Sequence, residues 1–166
     1  MSETKILEGK KLLIVDDEPD VAETIKELLD MCKIDTAADF ETGKKLLNRN
    51  KYDIAVLDIM GVKGYELLDI ANKQGIPALM LTAHAISPDN FAKSIAGGAK
   101  AYIPKEKIAE IATYLSDLLK AQEGNEKPNR WYARLESFFD LQFGKGWLKT
   151  YHELERKYGP FDSDVE

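Results

Sequence analysis

The chain has a single cysteine, only two histidines, no long apolar run and no surplus of positive charge, and each shortage removes a class of function. One cysteine, Cys32, excludes an internal disulfide, and its place beside Leu28 and Leu29 predicts a small buried hydrophobe on a helix. No His/Cys cluster has metal-ligand spacing, and no Ser/His/Asp arrangement suggests a hydrolase. No stretch approaches the roughly 18 apolar residues of a membrane span, and Met1-Ser2-Glu3-Thr4-Lys5 lacks the apolar centre of a signal peptide, so a cytoplasmic protein is expected. A net charge of -6 argues against a general affinity for nucleic acid or anionic membrane. At 166 residues the chain is long enough for one domain with a real core and an appendage.

Four short apolar runs each end on a residue that chemistry can use. Leu12-Leu13-Ile14-Val15 leads into Asp16-Asp17, Ile54-Ala55-Val56-Leu57 into Asp58, Ala78-Leu79-Met80-Leu81 into Thr82, and Ala101-Tyr102-Ile103 into Pro104-Lys105. Such runs, bounded by turn residues and separated by helical patterns, are the buried strands of a parallel sheet. Strand patterns at 11–15, 34–38, 53–57, 77–81 and 99–103 alternate with helical patterns at 20–33, 41–48, 65–72, 88–96 and 107–121. The alternation predicts right-handed crossovers and an α/β fold with helices on both faces of the sheet. Ligands bind such sheets outside the carboxyl ends of the strands, so three carboxylates, a hydroxyl and an ammonium converge on one edge. Crowded carboxylates raise one another's pKa unless a cation neutralises them, and hard oxygen ligands of high charge favour Mg²⁺. A carboxylate can also act as the nucleophile of phosphoryl transfer, with electrophilic help from a cation, an ammonium and a hydroxyl.

A breaker-rich segment, Glu123-Gly124-Asn125-Glu126-Lys127-Pro128, marks a boundary. The expected organisation is an N-terminal tail at 1–9, a domain at 10–122, and a linker with a helical extension at 123–166. Nine of the chain's fifteen aromatics lie beyond the boundary, and two helically spaced sets, Trp131/Leu135/Phe138/Phe139 and Trp147/Tyr151/Leu154/Tyr158, flank Gly144-Lys145-Gly146. They predict a C-terminal helical hairpin with a heavy aromatic face. Three roles suit it: a cap on the domain's own surface, a dimer contact, or a dock for a separate partner. DNA reading does not suit it, because residues 124–166 hold seven Lys/Arg against eight Asp/Glu.

Residues 10–121 resemble the receiver domain of bacterial two-component response regulators. The resemblance rests on Leu-Ile-Val-Asp16-Asp17-Glu18, Ala-Val-Leu-Asp58-Ile-Met, Leu-Thr82-Ala83 and Gly97-Gly98-Ala99-Lys100-Ala101-Tyr102-Ile103-Pro104-Lys105. It implies a doubly wound, five-stranded parallel sheet of order 2-1-3-4-5. It further implies that Asp58 accepts a phosphoryl group from a histidine kinase or phosphotransfer protein, with Asp17 on Mg²⁺ directly, Asp16 largely through water, and the Met60 backbone carbonyl completing the metal site. Lys105 would contact the phosphoryl group, and Thr82 with Tyr102 would form the switch. Two departures from the family pattern stand out. The loop Ile59-Met60-Gly61-Val62-Lys63-Gly64 is short and lacks the usual Pro, and Pro104 precedes Lys105 where the family has a Pro after it. His84, two residues past Thr82, borders the expected pocket or is a plain loop histidine. The expected function is a signalling switch acting through protein contacts, with self-catalysed phosphoryl transfer and hydrolysis its only catalysis. The alternatives are a phosphate shuttle or sink, and a receiver used as a constitutive scaffold.

Overall fold

The computed structural model describes residues 4–83, 87–128, 130–144 and 156. Five strands, β1 (Lys11–Val15), β2 (Lys33–Ala37), β3 (Ile54–Asp58), β4 (Ala78–Thr82) and β5 (Ala101–Pro104), form one parallel sheet of order β2-β1-β3-β4-β5. The helices α1 (Pro19–Leu28), α2 (Phe40–Arg49), α3 (Gly64–Lys73), α4 (Pro88–Ala96) and α5 (Ile111–Gln122) cover both faces, with α1 against α5 and α2 against α3. The central strands β3 and β4 are buried at every position, as their unbroken apolar runs predict.

Local chemistry explains the starts of α1, α2 and α4. The Asp39 carboxylate accepts from the Thr42 N–H at 2.7 Å ahead of α2, and the Ser87 hydroxyl from the Asn90 N–H at 3.0 Å ahead of α4. Each satisfies an N–H that the helix leaves without a partner. Pro19 and Pro88 occupy first-turn positions, where the missing N–H costs nothing.

Four expectations change. α1 stops at Leu28 rather than Lys33, because β2 begins pairing with β1 at Lys33 and Gly9 donates its N–H to the Met31 carbonyl. Cys32 therefore lies in the turn before β2, half-buried, with Sγ 3.4 Å from the Leu7 carbonyl, and not on a helix. The segment expected as a tail holds a 3₁₀ turn at Lys5–Leu7 whose Leu7 is fully buried and which packs against α5. After β5 the chain runs through a 3₁₀ coil at Lys105–Glu110 before α5, so the last receiver helix starts four residues later than its pattern.

The extension contributes α6 (Arg130–Phe143), which buries Trp131, Leu135 and Phe139 at a spacing of four. α6 packs on the domain's own surface, as the first of the three roles expected for the extension requires. Its rings pack on Phe91 of α4 and Tyr102 of β5, and its Arg134 forms a two-pronged pair with the buried Asp117 of α5 at 2.5 and 3.2 Å. The second arm of the expected hairpin, with Trp147, Tyr151, Leu154 and Tyr158, lies outside the described residues, as does His84. Among the described residues no helix is long and apolar enough to cross a membrane.

Candidate functional site

The carboxyl ends of β1, β3 and β5 bring Asp16, Asp58 and Lys105 together, although Asp16 and Lys105 are 89 positions apart. The Lys105 Nζ lies 3.0 Å from Asp16 Oδ2, 3.4 Å from Asp58 Oδ1 and 2.5 Å from Glu18 Oε1. Asp16 Oδ1 also accepts the Glu18 N–H at 2.8 Å, which curls the chain after β1 back over the strand end. Asp16, Asp17 and Glu18 can bring one oxygen each within 4.8 Å of one another. Asp16 is 2% exposed and Asp58 4%, whereas Asp17 and Glu18 face solvent.

Burial and crowding shape the charges. Asp58 is pushed up to about 7, first by burial and then by the negative charge of Asp16, with Lys105 opposing. Asp16 is raised as well, again chiefly by burial, against the Glu18 N–H and Lys105. Burial alone would lower Lys105, but the carboxylates of Glu18 and Asp16 outweigh it and hold the ammonium above its ordinary value. One ammonium thus serves three acids, which leaves an excess of negative charge. Asp16 Oδ2, though near Nζ, has no hydrogen-bond geometry with any partner. A buried oxygen in that state, beside carboxylates that resist ionisation, fits a divalent cation held by oxygen ligands.

The short loop after Asp58 closes over this site by close backbone approach. Gly61 has φ +86°, and a Cβ there would sit 2.3 Å from Asp17 Oδ2; at Gly64 a Cβ would sit 2.2 Å from the Asp58 carbonyl. Only glycine allows the loop to pass so near the acids. Met60, directly before Gly61, turns its side chain to solvent, 63% exposed. Lys63 takes a left-handed conformation (φ 55°) to start α3 within the shortened span.

Thr82, the last residue of β4, is 1% exposed, and its hydroxyl makes no hydrogen bond. Tyr102 is fully buried; burial raises its phenol to about 12, with the Ser87 backbone and the nearby Thr82 hydroxyl opposing. No cis peptide occurs among the described residues, including the Pro104–Lys105 region. The sequence reading assigned no role to Glu18, the nearest acceptor to Lys105, nor to Gly61 and Gly64. The signals were a third consecutive acid after Asp16-Asp17 and a Gly-x-x-Gly spacing in a loop too short to arch away.

The family model of the response regulator receiver domain matches residues 12–116. This chain belongs to the response regulator receiver family. It is 33% identical over 103 residues to the two-component response regulator ARR18 of Arabidopsis thaliana, covering 58% of this chain and 16% of that one. It is 30% identical over 139 residues to the heme response regulator HssR of Staphylococcus aureus, covering 78% and 62%. The chain therefore spans less than two thirds of the length of these curated relatives. Among solved structures it resembles the receiver domain of the Francisella response regulator 1452 (TM-score 0.62, 30% identity, 69% of this chain and 99% of that one). It also resembles a CheY-like receiver domain protein of Methanospirillum hungatei (TM-score 0.64, 28% identity, 70% and 98%). It is thus a receiver domain of two-component signalling, carrying an acidic pocket of the kind at which receivers bind Mg²⁺. α6 lies wholly beyond residues 12–116, the span of the family model.

Proposed function

We propose that Asp58 accepts a phosphoryl group from the phosphohistidine of a histidine kinase or phosphotransfer protein, and that the receiver then signals through protein contacts. A carboxylate oxygen of Asp58 forms the new O–P bond as the P–N bond of the donor breaks and the imidazole leaves with the electron pair. Hydrolysis by water later returns the carboxylate and inorganic phosphate. Self-catalysed transfer and hydrolysis are the only chemistry the reading requires.

The observation that supports this reading is Lys105 Nζ at 3.4 Å from Asp58 Oδ1 in a pocket that buries the acceptor. The ammonium is placed to contact oxygens of a phosphoryl group on Asp58, and the unbonded Thr82 hydroxyl can donate to another. Asp16, Asp17, Asp58 and the Met60 carbonyl would hold Mg²⁺. Its charge would neutralise the crowded acids and offset the negative charge of the phosphoryl oxygens. Burial of Asp58 limits the access of water and so favours transfer over wasteful hydrolysis.

Incubation with Mg²⁺ and a small acyl phosphate, followed by intact mass, tests the reading. The wild-type chain is expected to gain one phosphoryl group and Asp58→Asn none; equal labelling of the variant would move the acceptor elsewhere.

A further inference from the structure

Glu18 gives the acidic pocket a rim that the strand ends alone do not supply. It stands at the N-cap of α1, where a side-chain oxygen ordinarily accepts a helix N–H, yet it makes no side-chain cap. Its backbone carbonyl accepts the Val21 and Ala22 N–H groups at 3.1 and 3.3 Å, so the main chain holds the turn while the carboxylate reaches Lys105, 87 positions away. Of the three acids around the ammonium, Glu18 is the nearest, with Oε1 at 2.5 Å against 3.0 Å for Asp16 Oδ2 and 3.4 Å for Asp58 Oδ1. It is also the one in water: its side chain is 55% exposed, that of Asp16 0% and that of Asp58 5%. Lys105 is 10% exposed, so the pair joins the turn after β1 to the end of β5 at the mouth of the pocket, ammonium inside and carboxylate outside.

That position makes Glu18 a rival of any anion bound at Asp58. An ammonium is a point charge with three N–H donors on a flexible stem, so what it gives to one oxygen it withholds from another. A phosphoryl group on Asp58 brings negative oxygens toward the same ammonium. Glu18 opposes them twice, by engaging Lys105 and by its own negative charge at the mouth. Among the acids it also releases Lys105 at the least cost. Water replaces the ammonium at an exposed carboxylate, whereas Asp16 would be left buried and unpaired.

We propose that Glu18 is a positioning residue that competes with the phosphoryl group for Lys105: by holding the ammonium toward the rim, it lowers the site's affinity for phosphoryl oxygens and for free anions that resemble them. The proposal rests on the reading of Asp58 as phosphoacceptor. It gives the third acid of Asp16-Asp17-Glu18 a role apart from the metal. The pocket then discriminates against inorganic phosphate and small phosphorylated acids, and yields Lys105 to a group covalently attached to Asp58.

Beryllofluoride binding to the full-length chain at saturating Mg²⁺ tests this. Glu18→Gln keeps the shape of the side chain and removes its charge, and Glu18→Ala removes the contact; neither substitution touches the main-chain bonds of the turn. Each variant is expected to bind beryllofluoride about 2- to 5-fold more tightly than wild type, the range of an ion pair with one exposed partner, and to be labelled correspondingly faster by a small acyl phosphate. A variant that merely disturbed the turn would bind more weakly, so a gain is a readout that damage does not produce. Unchanged or weaker binding in both variants overturns the competition. Calorimetry with Mg²⁺ alone separates the rim from the metal site: Glu18→Gln should lose much less affinity than Asp17→Asn, and an equal loss would make Glu18 a metal ligand and overturn its assignment. If wild type fails to load and matches Asp58→Asn, the phosphoacceptor reading itself falls; if wild type loads and neither variant gains, only the role of Glu18 falls.

Discussion

Asp58→Asn should stabilise the metal-free protein, and should do so only at neutral and alkaline pH. The folded chain holds the Asp58 carboxyl at about 7 against an ordinary 3.8, because burial and Asp16 disfavour its charge. Below about pH 4 the group is protonated in folded and unfolded chains alike, and no penalty exists. Between about pH 4 and 7 the unfolded chain releases the proton while the folded chain keeps it, so stability falls as pH rises. Above about pH 7 both forms are ionised and the full penalty stands. At about 1.36 kcal/mol for each pH unit between the two values, the upper bound is on the order of 4 kcal/mol. Asp16 shares the repulsion and the amide gives up the ionic contact with Lys105, so a net gain of about 2 kcal/mol is the working figure at pH 8. Urea unfolding of wild type and variant in chelator, from pH 4.5 to 8.5, measures it. The two curves should converge at the acid end and separate by pH 8, and Mg²⁺ should close the gap by stabilising wild type alone. A difference of the same size at pH 4.5 and pH 8 would refute the reasoning.

Other outcomes follow from the same geometry. Asp17→Asn should weaken Mg²⁺ binding roughly tenfold, about 1.4 kcal/mol, by calorimetry; unchanged affinity would place the metal elsewhere. Gly61→Ala should destabilise the loop by about 1–3 kcal/mol and weaken Mg²⁺, because its Cβ would press into the Asp17 carboxylate. Gly9→Ala, which has a similar φ of +74° but open space around it, should leave Mg²⁺ affinity alone, and equal effects at both glycines would reject the close-approach argument. Phe91→Ala should cost about 3–5 kcal/mol in urea unfolding, since it empties the centre of the α6 contact; a loss under about 1 kcal/mol would mean that the cluster relaxes around the gap.

How much of this was legible beforehand depended on the range of the interaction. Apolar runs ending in Asp16, Asp58, Thr82 and Lys105 report their own burial and position, because a strand covered on both faces must be apolar throughout and its reactive residue must stand at the end. The α/β alternation and the converging site could therefore be read from the chain, and the strand order from its resemblance to receivers. The end of α1 was not legible. Its helical pattern continues to Lys33, and only pairing of β2 with β1 and the Gly9–Met31 hydrogen bond stop it at Leu28. The role of Glu18 was hidden for a similar reason: three acids in a row show a charge cluster, but which of them takes the ammonium depends on the turn after β1 and the reach of a lysine on β5's far end.

The aromatic helix shows the same division most clearly. Its composition by itself determined that α6 must bury a face, since so much ring surface on one short helix cannot stay in water. What covers that face was left open among a cap, a second copy and a partner. The tertiary structure decided it by bringing Phe91, Tyr102 and Asp117 from two helices and a strand into one surface, where Trp131, Phe139 and Arg134 each meet a counterpart. The amount of surface to be buried is a property of the residues, but complementarity between two surfaces exists only once distant segments have been placed side by side.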